Sequence, residues 1–313
     1  MSLPGPVAAI VGPTASGKSA LADAVAERLG SSVISVDAMQ VYRGMDIGTA
    51  KTPVHKRRVP LLMVDVADVS HAYSVQQYQR DARVLLDELL ATGRVPVMCG
   101  GTGLYLNAVV DDMDFPSGEV GSEARATYER YAEEHGPLAL HELLETRDPQ
   151  SARIIHPNNT RRVVRALEML DEGLSYAENN QGLHHRRPVY DVRIWGLTMS
   201  REHLYERINA RVDEMFENGL IDEVVRLCDV GLKDSKTARQ AIGYKEVLDM
   251  LDGITTREKA CETVKMRTRH YAKRQLSWFG HDARVRWIDL DKTSLDEAAE
   301  LVVTDIGSAH GSL

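Results

Sequence analysis

The 313-residue sequence predicts an α/β protein: a phosphate-binding-loop, parallel-sheet core with helices on both faces and a helical insertion domain. Three observations predict it. Strand-length apolar runs alternate with helical periodicity through the first third of the chain, as crossover β-α-β units do. The first strand and first helix are joined by GPTASGKS, residues 12–19. From about residue 116 to residue 190 only helical periodicity remains, and strand character then returns.

The elements follow in order. Val7 to Val11 is a short apolar run that reads as a buried strand. Gly12, Pro13, Thr14, Ala15, Ser16, Gly17, Lys18 and Ser19 match the spacing of a phosphate-binding loop. Gly12 and Gly17 give the backbone the freedom to turn its N–H groups inward. Leu21, Ala22, Val25, Ala26 and Leu29 place a helix directly after the loop, and the N-terminus of that helix adds positive potential. Lys18 brings a point charge to the terminal phosphates, and the Ser19 hydroxyl suits Mg²⁺. A plain Gly-rich turn is the alternative, but the strand before and the helix after argue against it. The loop does not say whose phosphates it holds. ATP or the diphosphate of any small molecule would satisfy the same amides.

Residues 33–37, 61–66 and 95–99 read as three further strands. Residues 74–91 form a helix between the last two, with Val75, Tyr78, Ala82, Leu85, Leu86 and Leu89 at helical spacing. The pattern breaks at Phe115-Pro116-Ser117-Gly118. Helices are expected at 122–135, at 138–145 and, after the turn His156-Pro157-Asn158, at 159–171. A polar stretch over 178–188 closes this segment, and residues 192–197 return to the sheet. The expected organisation is a core of 1–115 with 191–313, interrupted by a helical insertion at 116–190; the alternative is a succession of domains. The last third reads as helices at 201–216, 221–230, 241–251 and 256–279, then a strand at 285–290 and a short tail from Gly307.

Composition narrows the function classes. A net charge of −8 argues against nonspecific nucleic-acid binding by the whole surface, while leaving room for a local basic patch. Cys99, Cys228 and Cys261 form no C-x-x-C pair, so neither a zinc site nor a disulfide framework is expected, and a reducing cytoplasm fits. No apolar run is long enough to span a membrane. The chain enters a strand almost at once, so no signal peptide is expected.

Several groups could carry chemistry. Asp37 ends the second strand, on the sheet edge where the phosphate loop also lies. It is placed to ligate Mg²⁺, to act as a general base, or merely to cap a turn. Asp65 also ends an apolar run and competes for the cation. Gly100-Gly101-Thr102-Gly103 is a second Gly-rich turn at that edge, either a site wall with one hydroxyl or an ordinary strand-to-helix turn. Arg161, Arg162 and Arg165 form one basic cluster. Lys265, Arg267, Arg269, His270, Lys273 and Arg274 form another, with Tyr271 and Trp278 interleaved and almost no acidic residue after Glu262. Each cluster is either a solvated helix face or a phosphate-binding patch. His184-His185-Arg186-Arg187 reads as a loop whose adjacent histidines point apart, so no metal site is expected there.

Taken together, GPTASGKS, SVDAMQVYRGMDIGTAK, YSVQQYQRDA, GGTGLY, HPNNTRRVVRALE, RVDEMFENGL, QAIGYKE and AKRQLSWF resemble the tRNA dimethylallyltransferases, also called tRNA isopentenyltransferases, in family order from residue 12 to residue 279. Residues 37–51 are the most specific part. The resemblance implies that the phosphates belong to dimethylallyl diphosphate. It implies transfer of the dimethylallyl group to N6 of the adenosine 3′ of a tRNA anticodon, with release of diphosphate. It implies Asp37 as catalytic base, Thr102 as a contact to the target adenosine, and Arg211 as a contact to the diphosphate beside Lys18, Ser19 and Mg²⁺. It implies tRNA contacts by Asp37, Ala38, Met39 and Gln40, by Thr102 and Arg125, and by Arg161, Arg162, Val163, Val164 and Arg165. The partner is the anticodon stem-loop, and a cytoplasmic monomer without membrane attachment is expected. The chain departs from the family's pattern at Ala38, where serine is usual, and at Asn159, where HPND is common. Asn159 still suits a helix cap. The zinc-finger extension of some eukaryotic members is not present, which implies a bacterial-type enzyme. Two other readings compete: an ATP-dependent small-molecule kinase with the insertion as its lid, and a nucleotide-switch module. Neither accounts for residues 37–51 or for the two basic clusters.

Overall fold

The computed structural model describes residues 3–115, 123–179 and 187–310. Residues 116–118 of the expected domain boundary and residues 184–186 of the His-His-Arg-Arg loop lie outside them. The chain divides into two compact units, one of residues 1–111 with 188–313 and one of residues 112–187.

The larger unit is built on six parallel strands: β1 (Val7–Val11), β2 (Val33–Val36), β3 (Leu61–Leu62), β4 (Val97–Gly100), β5 (Val192–Thr198) and β6 (Val285–Asp289), in the order β3-β2-β4-β1-β5-β6. The alternation of side chains across the pleat explains why all five residues of β1 are buried. Val7, Ala9 and Val11 enter one apolar layer, and Ala8 and Ile10 enter the other. Helices α1 (Lys18–Arg28) and α11 (Leu295–His310) cover the second face through Leu21, Val25, Ala298 and Val302. Helices α2 (Val75–Ala91), α3 (Gly103–Val110), α7 (Arg201–Glu217), α8 (Leu220–Cys228), α9 (Tyr244–Leu251) and α10 (Arg257–Gly280) contribute to the first. Each fully buried Leu, Ile or Val on these faces contributes about 1.5–3 kcal/mol relative to exposure. Ser74 and Gln77 cap α2 reciprocally, as the sequence SVQQ allows.

Two expectations are corrected. The strand at 61–66 pairs only over Leu61–Leu62. Met63 and Asp65 take positive φ (58° and 59°), and the chain turns to bond Asp65 N to Gln40 O and Val66 N to Val41 O. Residues 307–310 of the expected tail belong instead to α11, which begins ten residues after Val285 starts β6 and covers a sheet face; residues 311–313 lie outside the described residues. Its apolar stripe of Ala298, Ala299, Val302 and Ile306 is too small-sided to stand out, but Ser294 and Glu297 cap its start reciprocally.

In the smaller unit, α4 (Glu123–Arg147) is broken at Gly136 (φ 85°, ψ 165°) before Pro137, which accommodates the two helices expected there. A short α5 (Pro149–Ile154) precedes α6 (Thr160–Asp171). Asn159 accepts from Arg162 N at 3.4 Å, the expected cap. Leu140, Leu144, Val163, Val164 and Leu167 form this unit's own core.

Candidate active site

The carboxyl ends of β2, β4 and β1 lie side by side in the sheet, and each carries one motif. The phosphate loop follows β1. Gly12 has φ 132°, and a side chain there would meet Leu197 O at 2.7 Å, so only glycine fits. Gly17, at φ 100°, opens α1. The Lys18 ammonium folds back on Pro13 O at 2.6 Å. Burial pushes Lys18 down from 10.5 to about 8, with Arg211 acting the same way and Cys99 and Asp37 opposing. The Ser16 hydroxyl is buried with no hydrogen-bond partner among the described residues. Such a group is a donor in reserve for an anion.

Lys18 and Ser19 line a cavity of about 420 Å³ together with Gln40, Cys99, Arg207 and Arg211. Arg211 and Arg207 are four apart on one face of α7. Arg207 Nε donates to Ala15 O at 2.8 Å, fixing the loop from outside. Burial and the neighbouring Arg207 make the Arg211 charge costlier in the free protein, a cost that an anion would relieve. Arg207 was not singled out by its sequence context. Its i−4 spacing from Arg211 is the signal that could have found it.

Asp37 begins the turn after β2. Its Oδ1 accepts from Met39 N at 2.9 Å and Gln40 N at 3.3 Å, so the turn-cap reading is correct for that oxygen. Oδ2 takes no hydrogen bond among the described residues. Burial raises the Asp37 carboxyl above its ordinary value, against the two amides, Lys18 and Lys51. Asp65, the rival carboxylate, is instead paired with Lys51 at 2.7 Å and does not line the cavity. Lys51 is buried and also bonds Asp46 at 2.6 Å and Tyr42 O at 3.1 Å. Gln40 spans the loop, accepting from Ser35 Oγ and donating to Thr49 O.

Thr102 ends the turn after β4. Its Oγ1 accepts from Ala38 N at 3.1 Å, which ties the Asp37 turn to the GGTG turn. The glycines around it are dictated by α10. A Cβ on Gly101 would stand 1.9 Å from Gln275 Nε2, and one on Gly103 would stand 2.1 Å from the Trp278 ring. Neither Asp37 nor Thr102 lines the cavity. Lys18 connects the two regions, lining the cavity and interacting electrostatically with Asp37.

The basic residues divide. On α6, Arg161 and Arg162 are exposed, and Arg165 and Arg125 each approach the buried Glu168 at 3.7 Å. Val163 and Val164, expected among the RNA contacts, are 0% and 1% exposed in the helical core. Helical periodicity turns these two positions inward, so their side chains cannot meet RNA. On α10 the unbalanced charge expected from sequence is partly balanced by other helices. Lys265 pairs with Asp213, Arg267 with Glu246, and Arg269 bonds Asn209. His270, Lys273 and Arg274 remain exposed. Among the described residues no three His, Cys, Asp or Glu side chains converge as a metal site, and no helix is long and apolar enough to cross a membrane.

Comparison with known proteins matches this arrangement. A family model described as IPP transferase matches residues 40–282, and one described as isopentenyl transferase matches residues 5–58. The tRNA dimethylallyltransferase of Geobacillus kaustophilus is 47% identical over 286 residues, covering 91% of this chain and 90% of its own length. That of Streptomyces coelicolor is 46% identical over 299 residues, covering 94% of each. The crystal structure of the tRNA delta(2)-isopentenylpyrophosphate transferase of Staphylococcus epidermidis is similar at a TM-score of 0.71 and 36% identity, over 97% of this chain and 100% of that one. A eukaryotic dimethylallyltransferase acting on tRNA is similar at 0.79 and 26%, over 96% and 79%. The chain belongs to the IPP transferase family, that of the tRNA dimethylallyltransferases.

Proposed function

We propose that the protein transfers the dimethylallyl group of dimethylallyl diphosphate to N6 of the adenosine 3′ of the anticodon in tRNA, releasing diphosphate. The observation that carries this reading is the adjacency of three strand ends. A cationic, phosphate-loop cavity and a carboxylate with one unengaged oxygen flank the same lysine.

The exocyclic N6 is a poor nucleophile, because its lone pair is delocalised into the purine. Asp37 Oδ2 accepts the N6 proton as the new C–N bond forms, and the raised carboxyl makes it a stronger base than a solvated one. The C–O bond to the diphosphate breaks, and the charge that grows on the leaving oxygen is met by Lys18 and Arg211. Thr102 holds the adenosine beside Asp37. The base must leave its stack to reach this position. Arg161, Arg162 and Arg165 of the insertion, with Arg125, contact the anticodon stem-loop.

Mg²⁺ fits the residues present. The chain offers no cage of its own, and Mg²⁺ characteristically binds through one or two protein groups plus substrate phosphates. Ser19 is the protein group, exposed at the start of α1 and lining the cavity beside Lys18. The bound ion would neutralise diphosphate charge.

The test is incubation with unmodified tRNA, Mg²⁺ and dimethylallyl diphosphate, without ATP, followed by nucleoside mass analysis. An adenosine heavier by one C5H8 unit is expected. No mass change with tRNAs of several anticodons, together with ATP turnover on small acceptors, would overturn the reading in favour of a kinase.

A further inference from the structure

Helix α10 reaches the site through one side chain that the reaction as described does not use. Gln275 is buried (4% exposed) in an apolar stripe with Ala260, Val264, Ala272 and Phe279. A glutamine there requires partners, and both of its polar atoms have them. Oε1 accepts the Thr14 backbone N–H of the phosphate loop at 2.8 Å, and Nε2 donates to Gly101 O at 3.0 Å. One side chain thus bonds the loop after β1 and the turn after β4. Thr102, the next residue of that turn, accepts from Ala38 N, so the turn that Gln275 grips is itself tied to the turn of Asp37.

The sheet sets these loops side by side only coarsely, because each turn leaves its strand end with its own backbone freedom. Transfer between two bound substrates requires reacting atoms about 3–3.5 Å apart, and a misplacement of about 1 Å costs on the order of 100-fold. We propose that Gln275 is a positioning residue that locks the phosphate loop to the Thr102 turn and so fixes the distance between the diphosphate and the acceptor base. The absence of a side chain at Gly101 is part of the device, since a Cβ there would occupy the position of Gln275 Nε2. The inference rests on the prenyl-transfer reading for its consequence, and on the hydrogen bonds alone for the lock.

Two variants and two readouts test it. Gln275→Met keeps the length of the side chain and removes both hydrogen bonds. Gln275→Glu keeps an acceptor for the Thr14 N–H and loses the donor to Gly101 O. Hydrogen exchange in peptides containing Thr14 is expected to rise at least ~10-fold in Gln275→Met while the strands keep wild-type protection. In single-turnover assays with both substrates saturating, the transfer rate is expected to fall at least ~10-fold in Gln275→Met and at least ~3-fold in Gln275→Glu, with KM for each substrate within ~3-fold of wild type. A role in packing alone would lower the melting temperature without this split of kcat from KM. Unchanged exchange at Thr14, or wild-type single-turnover rates in both variants, overturns the proposal. A wild-type protein that transfers nothing to tRNA overturns the functional reading instead, and the exchange measurement still decides whether the lock exists.

Discussion

Replacing Lys18 by methionine is expected to stabilise the substrate-free protein while removing its hold on diphosphate. Burial pushes the Lys18 ammonium from 10.5 to about 8. At pH 7 it is charged where charge is disfavoured, and at about 1.36 kcal/mol per tenfold change in acidity this costs about 3 kcal/mol. The bond to Pro13 O, at 2.6 Å, returns about 1 kcal/mol. A methionine keeps most of the packing without the charge, so the variant gains about 2 kcal/mol at pH 7. The sign with pH follows from proton counting. Between about pH 8 and pH 10.5 the unfolded lysine holds a proton that the folded one has released, so wild-type stability rises with pH in that window. The variant's advantage is therefore full below about pH 8 and fades by about pH 10. Urea denaturation at both ends, with and without inorganic pyrophosphate, measures it. Pyrophosphate at ~100 times its Kd adds about 2.7 kcal/mol to the wild type and none to the variant. A methionine variant less stable than wild type at pH 7, or an advantage unchanged at about pH 10, refutes the reasoning.

Asp37→Asn keeps an oxygen for the Met39 and Gln40 amides but cannot take a proton, so turnover should fall by at least ~100-fold with tRNA affinity intact; near-normal turnover removes Asp37 from the base role. Arg161→Ala with Arg165→Ala should flatten the dependence of log K on log salt by about 0.7–0.9 for each phosphate no longer neutralised, measured by filter binding; an unchanged slope makes that helix a solvated face. Val163→Ala should leave the slope unchanged and destabilise the insertion by about 2 kcal/mol in thermal melts, and the opposite pattern would place this valine against RNA. Glu223→Gln should cost about 3 kcal/mol, because its buried carboxylate accepts from the amides of Asp46, Ile47 and Gly48 and from the Tyr244 hydroxyl; a loss under about 1 kcal/mol would mean that the loop does not depend on it.

Local periodicity and turn chemistry made the core strands, α1, α2 and α6 legible, because their apolar spacing is regular and their caps lie in adjacent residues. The same local reading failed where distant residues decide. Met63 and Asp65 leave the strand because the segment pairs instead with residues 40 and 41. Helix α11 was hidden by small side chains that matter only once a sheet face is there to receive them. The charge on α10 looked unbalanced because Asp213 and Glu246, which balance it, sit on other helices. At the site, the phosphate loop was readable from spacing. Arg207 and Gln275 were not, since each acts through a backbone group remote in sequence.

Residues 37–51 carry the most specific likeness to the family, and the structure shows why so many of them are needed for one turn. Only Asp37 begins the stretch with an unengaged oxygen. The residues after it hold that oxygen in place. Gln40 bridges Ser35 and Thr49, and Lys51 gathers Tyr42 O, Asp46 and Asp65. Glu223 grips residues 46–48, while the Tyr244 ring lies 2.4 Å from where a Gly48 side chain would begin. Each link closes a loop of the chain that would otherwise be free. A base that must meet one exocyclic nitrogen gains from a rigid turn, whereas a phosphate loop tolerates any ligand that satisfies its amides. The loop is therefore shared by many chemistries, and on the proposed reading the caged turn beside it is where selectivity for an adenosine acceptor would be built.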